Sequence, residues 1–219
     1  MAVVPAAPPD KPLLRGVSHQ IAFFLALVAG GALTASQPAG LARLAVGVYA
    51  TCLAGMLGIS AAYHRPSWSP IARQRMRRLD HAGIFLQIAG TYTPICLLGV
   101  RGAAGERLLL VVWAGAGLGI VKSIFWAHAP KPLTALICVA LGWTVVGAWT
   151  PVRVAIGASG VGLLLAGGVL YTAGALVYAA KRPNPSPRVF GYHEIFHALV
   201  VVAAVCHFEM VRALASVMP

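Results

Sequence analysis

Long stretches without Asp, Glu, Lys or Arg constrain this chain more than any other feature of its sequence. They cover residues 17–35, 44–64, 81–100, 132–152 and 154–180. Each is long enough for the roughly 20 apolar residues that a helix needs to cross a bilayer. Two further stretches, 108–127 and 190–215, are apolar but contain charged residues. The pattern therefore predicts an all-α, polytopic membrane protein with seven transmembrane helices.

Composition also indicates lipid rather than water as the solvent. Apolar residues make up 59% of the chain and charged residues only 10%, with a mean hydropathy of +0.80. A soluble domain usually carries about 25% charged residues. The net charge of +12 would suit nucleic acid only on a soluble basic domain, and the predicted helices leave no room for one. The four cysteines stand alone, which argues against disulfides and against a thiolate zinc site.

The basic residues determine the predicted orientation. If the N-terminus is cytoplasmic, five of the seventeen fall in outer segments, namely Arg43, Arg101, Arg107, Arg153 and Arg212. The other twelve fall in inner segments, and an excess of Lys and Arg marks the cytoplasmic side. The prediction is N-terminus in and C-terminus out. Residues 1–16, rich in proline, are predicted as a disordered cytoplasmic tail before a transmembrane domain at 17–219.

Four ionisable residues share one depth in this topology. His64 ends the second helix, which runs inward, and Asp80 precedes the third, which leaves the inner face. His193 and His197 lie in the first turns of the seventh helix, which also starts inside. Ionisable groups inside a bilayer are costly, so each is a functional candidate. The topology brings these residues, distant in sequence, to the cytoplasmic surface.

The four residues suggest a metal site. His193 and His197 are four apart and project from one helix face, and His64 would complete the three-ligand set of a catalytic zinc. Zinc lowers the pKa of a bound water to about 7, and Asp80 is the carboxylate placed to take its proton. Ser60, one turn before His64, would orient that imidazole or bind substrate oxygen. The alternative is a set of interhelical hydrogen bonds without metal.

The segment HEIFH at 193–197 also matches the HExxH pattern of zinc proteases, in which Glu is the general base. The pattern is short, and Glu194 leaves the helix about 100° away from His193. Three roles are open for Glu194. It could be the general base, a hydrogen-bond partner of a metal ligand, or the partner of His19 or of an inner arginine. His19 either joins the site or caps the interface. His207 and Glu209, farther along the helix, are expected to form a local pair.

Four segments carry a resemblance to a known family: SAAYHR at 60–65, LDH at 79–81, AGTYTP at 89–94 and GYHEIFH at 191–197. Together they closely resemble the bacterial hemolysin III family, which belongs with the progestin and adipoQ receptors and, more distantly, the alkaline ceramidases. The resemblance implies a seven-helix fold in the bacterial plasma membrane, with zinc bound by His64, His193 and His197. It also implies that Asp80 reaches the metal through water, with Ser60 nearby.

These residues favour a zinc-dependent, ceramidase-like hydrolase of lipid amides or esters that serves membrane lipid homeostasis. Membrane lipids are the expected partners, including anionic headgroups at the basic loop 65–78. Three alternatives stay open. One is a receptor, membrane-state sensor or cytolysin with a structural zinc. Another is an intramembrane protease that uses Glu194 in place of Asp80, and the third binds haem through two histidines. A water as the fourth zinc ligand would favour a catalytic role for the zinc, and a fourth protein ligand would favour a structural role.

Overall fold

The structure is a computed structural model that describes residues 11–126 and 128–216. Its α-helices are α1 Val17–Ala35, α2 Leu41–His64, α3 Pro70–Pro94, α4 Ala103–Phe125, α5 Lys131–Gly142, α6 Trp149–Ala180 and α7 Tyr192–Ser216. A π-helical turn, Ile95–Gly99, follows α3, and a 3-10 segment, Trp143–Ala148, links α5 to α6. Within the described residues there is no β-strand, only an isolated bridge between Ser186 and Phe190. The all-α prediction is confirmed.

In the described part of the chain, six helical stretches are long and apolar enough to cross a membrane. Five of them contain α1, α2, α3 with its π-helical turn, α4 and α7. The remaining one is the 50-residue stretch Lys131–Ala180, which includes both α5 and α6. At this level the prediction of a polytopic membrane protein is confirmed. The predicted crossings at 132–152 and 154–180 both lie inside the 50-residue stretch.

That stretch is interrupted at Gly157. The φ of 67° and ψ of 178° at this residue lie in a region that essentially only glycine occupies. Trp143 Nε1 donates a hydrogen bond to Thr172 Oγ1 at 3.0 Å, across 29 residues. A straight helix would hold these two residues about 43 Å apart. The chain therefore doubles back at Gly157, which places the end of α6 beside α5 and the 3-10 segment.

Helix α3 starts earlier than its apolar run indicates. It begins at Pro70, whereas the charge-free run begins at residue 81. Ser69 accepts a hydrogen bond from the backbone N–H of Ala72 at 3.4 Å, and Pro70 occupies the first turn. Both residue types are favoured at these positions. The expected basic loop 65–78 is therefore mostly helix, because hydropathy reveals only the part of a helix that meets lipid.

Residues 11–16 are folded rather than part of a disordered tail. They form turns in which the backbone N–H of Leu13 donates to the carbonyl oxygen of Arg188 at 3.0 Å. The tail predicted at 1–16 is thus too long at its C-terminal end, because contacts with a segment far away in sequence order these residues and composition does not reveal them. Residues 1–10 of that prediction lie outside the described part of the chain.

Small residues bring α2 close to α1 and α3, as is common between membrane helices. A Cβ placed on Gly30 of α1 would lie 2.9 Å from the Ala50 Cβ of α2. A Cβ on Gly90 of α3 would lie 2.5 Å from the Cys52 Cβ of α2. Neither glycine position has room for a larger residue. This close packing fixes α2, which ends at His64, against its two neighbouring helices.

Candidate metal centre

Three histidine side chains converge where α2 ends and α7 begins. His64 is the last residue of α2, and His193 and His197 lie in the first two turns of α7. Their ligand-capable atoms all lie within 4.8 Å of one another. The Nε2 atoms of His64 and His193 are 3.2 Å apart. The three rings, which we call the histidine cluster, are buried or nearly so.

The histidine cluster fits a metal ion. Two imidazole nitrogens bound to one tetrahedral zinc at about 2.0–2.1 Å lie about 3.3–3.4 Å apart, close to the observed 3.2 Å between His64 and His193. Nδ1 of His197 is buried and, within the described residues, has no hydrogen-bond partner, which costs free energy unless another group satisfies it. Imidazole ligands suit zinc. The same 3.2 Å also suits a hydrogen bond between two neutral rings, which is the metal-free alternative.

Asp80 approaches the histidine cluster from α3. Its Oδ2 atom lies 3.9 Å from Nε2 of His64, too far for a direct hydrogen bond. Ser60, one turn before His64 on α2, is buried and lies in the same cavity wall as Asp80. The structure thus brings the five candidate residues of the sequence to one end of the bundle, while their roles stay predictions.

Glu194 is engaged in contacts that stabilise the start of α7. Its Oε1 atom forms an ion pair with the guanidinium of Arg15, and its Oε2 accepts from the backbone N–H of Gly191 at 2.8 Å. A glutamate in the first turn that accepts from the residue preceding the helix acts as a cap, and its charge suits the positive end of the helix dipole. Of the roles left open by the sequence, pairing with an inner arginine is the one observed.

His19 of α1 packs against the outside of the histidine cluster. Its ring stacks on that of His197, with centroids 3.9 Å apart and an interplanar angle of 6°. The residue is only 3% exposed, and neither ring nitrogen has a hydrogen-bond partner among the residues described. Of the two roles proposed for His19, the structure supports the one that places it at the site.

A cavity of about 700 Å³ extends from the histidine cluster into the bundle. Its wall contains the residues of the cluster together with Ser60 and Asp80. Farther along, apolar side chains line it, among them Ile84, Ile88, Ile95 and Leu164. The cavity therefore joins a polar centre to a space suited to a hydrocarbon chain.

The sequence reading missed three cations in the cavity wall, Arg73, Arg77 and Lys131. The first two were assigned to a basic loop and were therefore given no facing direction. The available signal was their spacing: with Ser69 and Pro70 recognised as a helix start, Arg73 and Arg77 fall one turn apart on the helix face that continues to Asp80.

The prediction that His207 and Glu209 pair with each other is wrong. Nε2 of His207 lies 3.2 Å from the carbonyl oxygen of Leu164 on α6. Glu209 instead forms an ion pair with Arg212 at 2.6 Å. Residues three apart face each other on a helix whereas residues two apart do not, so the spacing itself favoured Arg212.

Comparison with known proteins gives consistent results. A family model described as "Haemolysin-III related" matches residues 9–208. "Hemolysin-3 homolog" of Bacillus subtilis is 33% identical over 130 residues, which are 59% of this chain and 58% of the relative. "Hemolysin-3" of Bacillus cereus is 40% identical over 100 residues, 46% of each chain. "Adiponectin receptor protein" of Drosophila melanogaster is 30% identical over 179 residues, 73% of this chain and 40% of the relative.

These matches cover about half the length of each relative, between 40% and 58%. They are similarities of sequence, and the relatives' activities do not follow from them. The similarity to bacterial hemolysin III homologues and the apolar helices of the structure together identify an integral protein of the plasma membrane. The predicted localisation is confirmed.

Proposed function

The chain belongs to the haemolysin III family, and from that premise we propose that it is a zinc-dependent hydrolase of lipid amides or esters. One observation carries the proposal: three imidazoles and a carboxylate converge in the wall of a cavity with an apolar interior. Metal-assisted hydrolysis needs ligands that leave a coordination position open and a base within reach. An adjoining apolar cavity suits an acyl chain. Ceramide-like amides and a role in membrane lipid homeostasis are consistent with this reading.

The proposal includes seven crossings, with the N-terminus in and the C-terminus out. The reversal at Gly157 supports the count, since residues 131–156 and 158–180 each exceed the roughly 20 residues needed for one crossing. The twelve-to-five distribution of Lys and Arg supports the orientation. The histidine cluster then lies near the cytoplasmic surface, where water and membrane lipid both have access to it.

Each residue of the site has a distinct role in this proposal. His64, His193 and His197 would hold a zinc ion, which when bound supplies a polarising centre and lowers the pKa of a water. Asp80 would accept a proton from the attacking water and return it to the leaving amine or alcohol. Ser60 would hold the Asp80 carboxylate or a substrate oxygen through its hydroxyl.

A second candidate function is a receptor or membrane-state sensor with a structural zinc. It is favoured by the position of Asp80, whose Oδ2 lies 3.9 Å from Nε2 of His64. Two ligands of one tetrahedral zinc lie about 3.3–3.4 Å apart. A small movement would make Asp80 the fourth protein ligand, and a closed set of four ligands is typical of structural zinc.

The deciding experiment measures zinc content and lipid hydrolysis in the same preparation, reconstituted in bilayers that contain anionic lipid. The zinc-loaded protein should release fatty acid from a lipid amide or ester. Asp80→Asn should keep most of the metal and lose activity by about 10²–10⁴-fold, because Asn accepts a hydrogen bond but takes no proton. Glu209→Gln, on the exposed part of α7, is the matched control and should remain active.

Two outcomes would redirect the conclusion. Zinc-loaded protein that turns over no ceramide, other lipid amide or ester would favour the sensor. Protein with no metal above background would contradict both candidate functions and leave the hydrogen-bonded histidine cluster as the correct description.

A further inference from the structure

One face of α3 lines the cavity, and its chemistry changes along the helix. The cavity-lining residues of this face are Arg73, Arg77, Asp80, Ile84, Ile88 and Thr91. They recur at steps of three or four residues, the spacing of neighbours on a helix. At 1.5 Å per residue, Arg77 and Arg73 lie about 4.5 and 10.5 Å from Asp80 along the axis. The face therefore leads from two cations, past Asp80 beside the histidine cluster, to an apolar slot.

The cations at this end of the cavity have no carboxylate partners in the described chain. Neither Arg73 nor Arg77 forms an ion pair with a described acidic residue. Lys131, which lines the same end, donates to the Tyr192 hydroxyl at 3.0 Å and lies 4.6 Å from the centre of the Tyr178 ring. Three positive charges thus border the cavity, and none of them forms an ion pair with a described carboxylate.

The surroundings of Lys11 show the same excess of positive charge. Its ammonium group donates to the carbonyl oxygen of Arg65 at 2.6 Å. Burial lowers the pKa of Lys11, and repulsion by Arg65, Arg15 and Arg73 lowers it further. An anion bound among these side chains would be stabilised by the positive potential that they create.

The rule that places basic residues on the cytoplasmic side does not account for this arrangement. That rule concerns the number of Lys and Arg on each side and not the direction in which they point. Arg75 lies on the same turn of α3 as Arg73 and Arg77, yet it is not part of the cavity wall, whereas they are. Two arginines therefore face the cavity and a third faces away from it.

We propose that the cavity binds a lipid amide or ester whose leaving group carries a carboxylate or phosphate, held by Arg73, Arg77 and Lys131. This assignment rests on the hydrolase function proposed above and names its substrate class. The acyl chain lies along Ile84 and Ile88, with the scissile carbonyl at the histidine cluster. The anion lies about 5–10 Å away, the axial distance from Asp80 to the arginines.

The chemistry of this substrate balances without a further reactant. The oxygen of water bonds to the acyl carbon, and the bond from that carbon to nitrogen or oxygen breaks. One proton of the water goes to the leaving atom. The products are a fatty acid and an amine or alcohol that carries the carboxylate or phosphate. A neutral leaving group would leave the three cations unpaired, whereas an anion gains charge-assisted hydrogen bonds from them.

Two probes with the same chain and the same amide test the assignment: N-dodecanoylglycine, which is anionic, and N-dodecanoylethanolamine, which is neutral. Calorimetry measures their binding to the zinc-loaded, full-length protein in phosphatidylcholine nanodiscs. The parent protein for this assay is Asp80→Asn, so that neither probe is consumed. We expect the anionic probe to bind about tenfold more tightly, because its carboxylate forms charge-assisted hydrogen bonds.

Variants of α3 locate the source of the preference. Adding Arg77→Gln should bring the two affinities to within about twofold, because one of the charge-assisted contacts is lost. Arg75→Gln removes the same charge from the other side of the helix and should leave the preference unchanged. Zinc content and melting temperature are recorded for each variant, and Lys131→Gln takes the place of Arg77→Gln if the latter does not fold.

Three results would overturn the assignment. Equal affinities of the two probes in the parent protein exclude an anion site. A preference that survives Arg73→Gln, Arg77→Gln and Lys131→Gln arises elsewhere. Inorganic phosphate that binds as tightly as N-dodecanoylglycine identifies a site for a free anion rather than for a lipid. Because binding is measured without turnover, the preference can hold while hydrolysis fails, which separates this assignment from the proposed function.

Discussion

The two ends of α7 carry ionisable residues at similar helical spacing, but only one end forms a site. At its start, His193 and His197 meet His64 of α2. Near its end, Glu209 and Arg212 bond to each other and are 40% and 56% exposed. Spacing places both pairs on one helix face. The difference is that a second helix delivers a third group to the first pair, so convergence rather than spacing makes the site.

Burial separates the two ends as well. The ion pair at the start of α7 joins Arg15, which is 21% exposed, to Glu194, which is 3% exposed. The pair near the end of α7 lies largely in the open. Charges removed from solvent depend on their partners, whereas exposed pairs contribute little to stability. The comparison predicts that matched changes at the two ends have unequal effects.

The largest expected difference is in accessibility, because the two ends of α7 should face opposite sides of the membrane. Cysteines introduced at Ser69 and Ser186, in a chain without its native cysteines, should react with an impermeant reagent only after the cells are opened. A cysteine at Ser216, the exposed last residue of α7, should react in intact cells. Labelling of Ser69→Cys or Ser186→Cys in intact cells would show that the proposed orientation is wrong.

Metal content should distinguish the ends next most strongly. His193→Ala or His197→Ala should lower zinc affinity by more than the roughly 10- to 100-fold typical of changes to residues that only support a ligand. His207→Ala, in the same helix and also buried, should keep the metal. Elemental analysis of protein purified without chelators measures this. If both variants retain zinc, α7 supplies no essential zinc ligand.

Stability should respond to the two ion pairs in the same order. Arg15→Gln leaves the carboxylate of Glu194 buried without its partner and should destabilise the protein by about 2–3 kcal/mol, somewhat less than for a fully buried pair. Arg212→Gln should cost less than about 1 kcal/mol, since its pair is exposed. Thermal melts in one detergent compare the two. Equal losses of stability in the two variants would show that burial does not make one ion pair more stabilising than the other.

The smallest expected effect concerns His19, which supports the histidine cluster from a third helix. His19→Ala removes the ring stacked on His197 and should weaken zinc binding by about tenfold. His19→Phe keeps a flat ring and should bind zinc nearly as the unaltered protein does. If Phe proves as damaging as Ala, a ring nitrogen of His19 rather than its packing contributes to the site.

Local patterns in the sequence predicted the helices and which residues are candidates for the site. Charge-free runs located the membrane segments, because a helix in lipid must be apolar over about 20 residues. The four-residue interval between His193 and His197 placed both on one face, because the helix repeats every 3.6 residues. The predicted topology added His64 and Asp80 at the same depth, with Ser60 one turn before His64. The family resemblance, now confirmed by the match over residues 9–208, implies the same set. Zinc and the roles of Asp80 and Ser60 stay predictions.

What depends on packing between distant segments was decided only by the tertiary structure. The stacking of His19 on His197, the pairing of Arg15 with Glu194 and the folding of residues 11–16 join parts of the chain far apart in sequence. Spacing puts Arg77 on the face of α3 that continues to Asp80, but only the packing of the helices shows that this face lines the cavity. Hydropathy and periodicity describe each helix by itself, with the period of its own turns. Which side chains from different helices meet depends on how close the helices approach, and that distance is determined by the small residues between them.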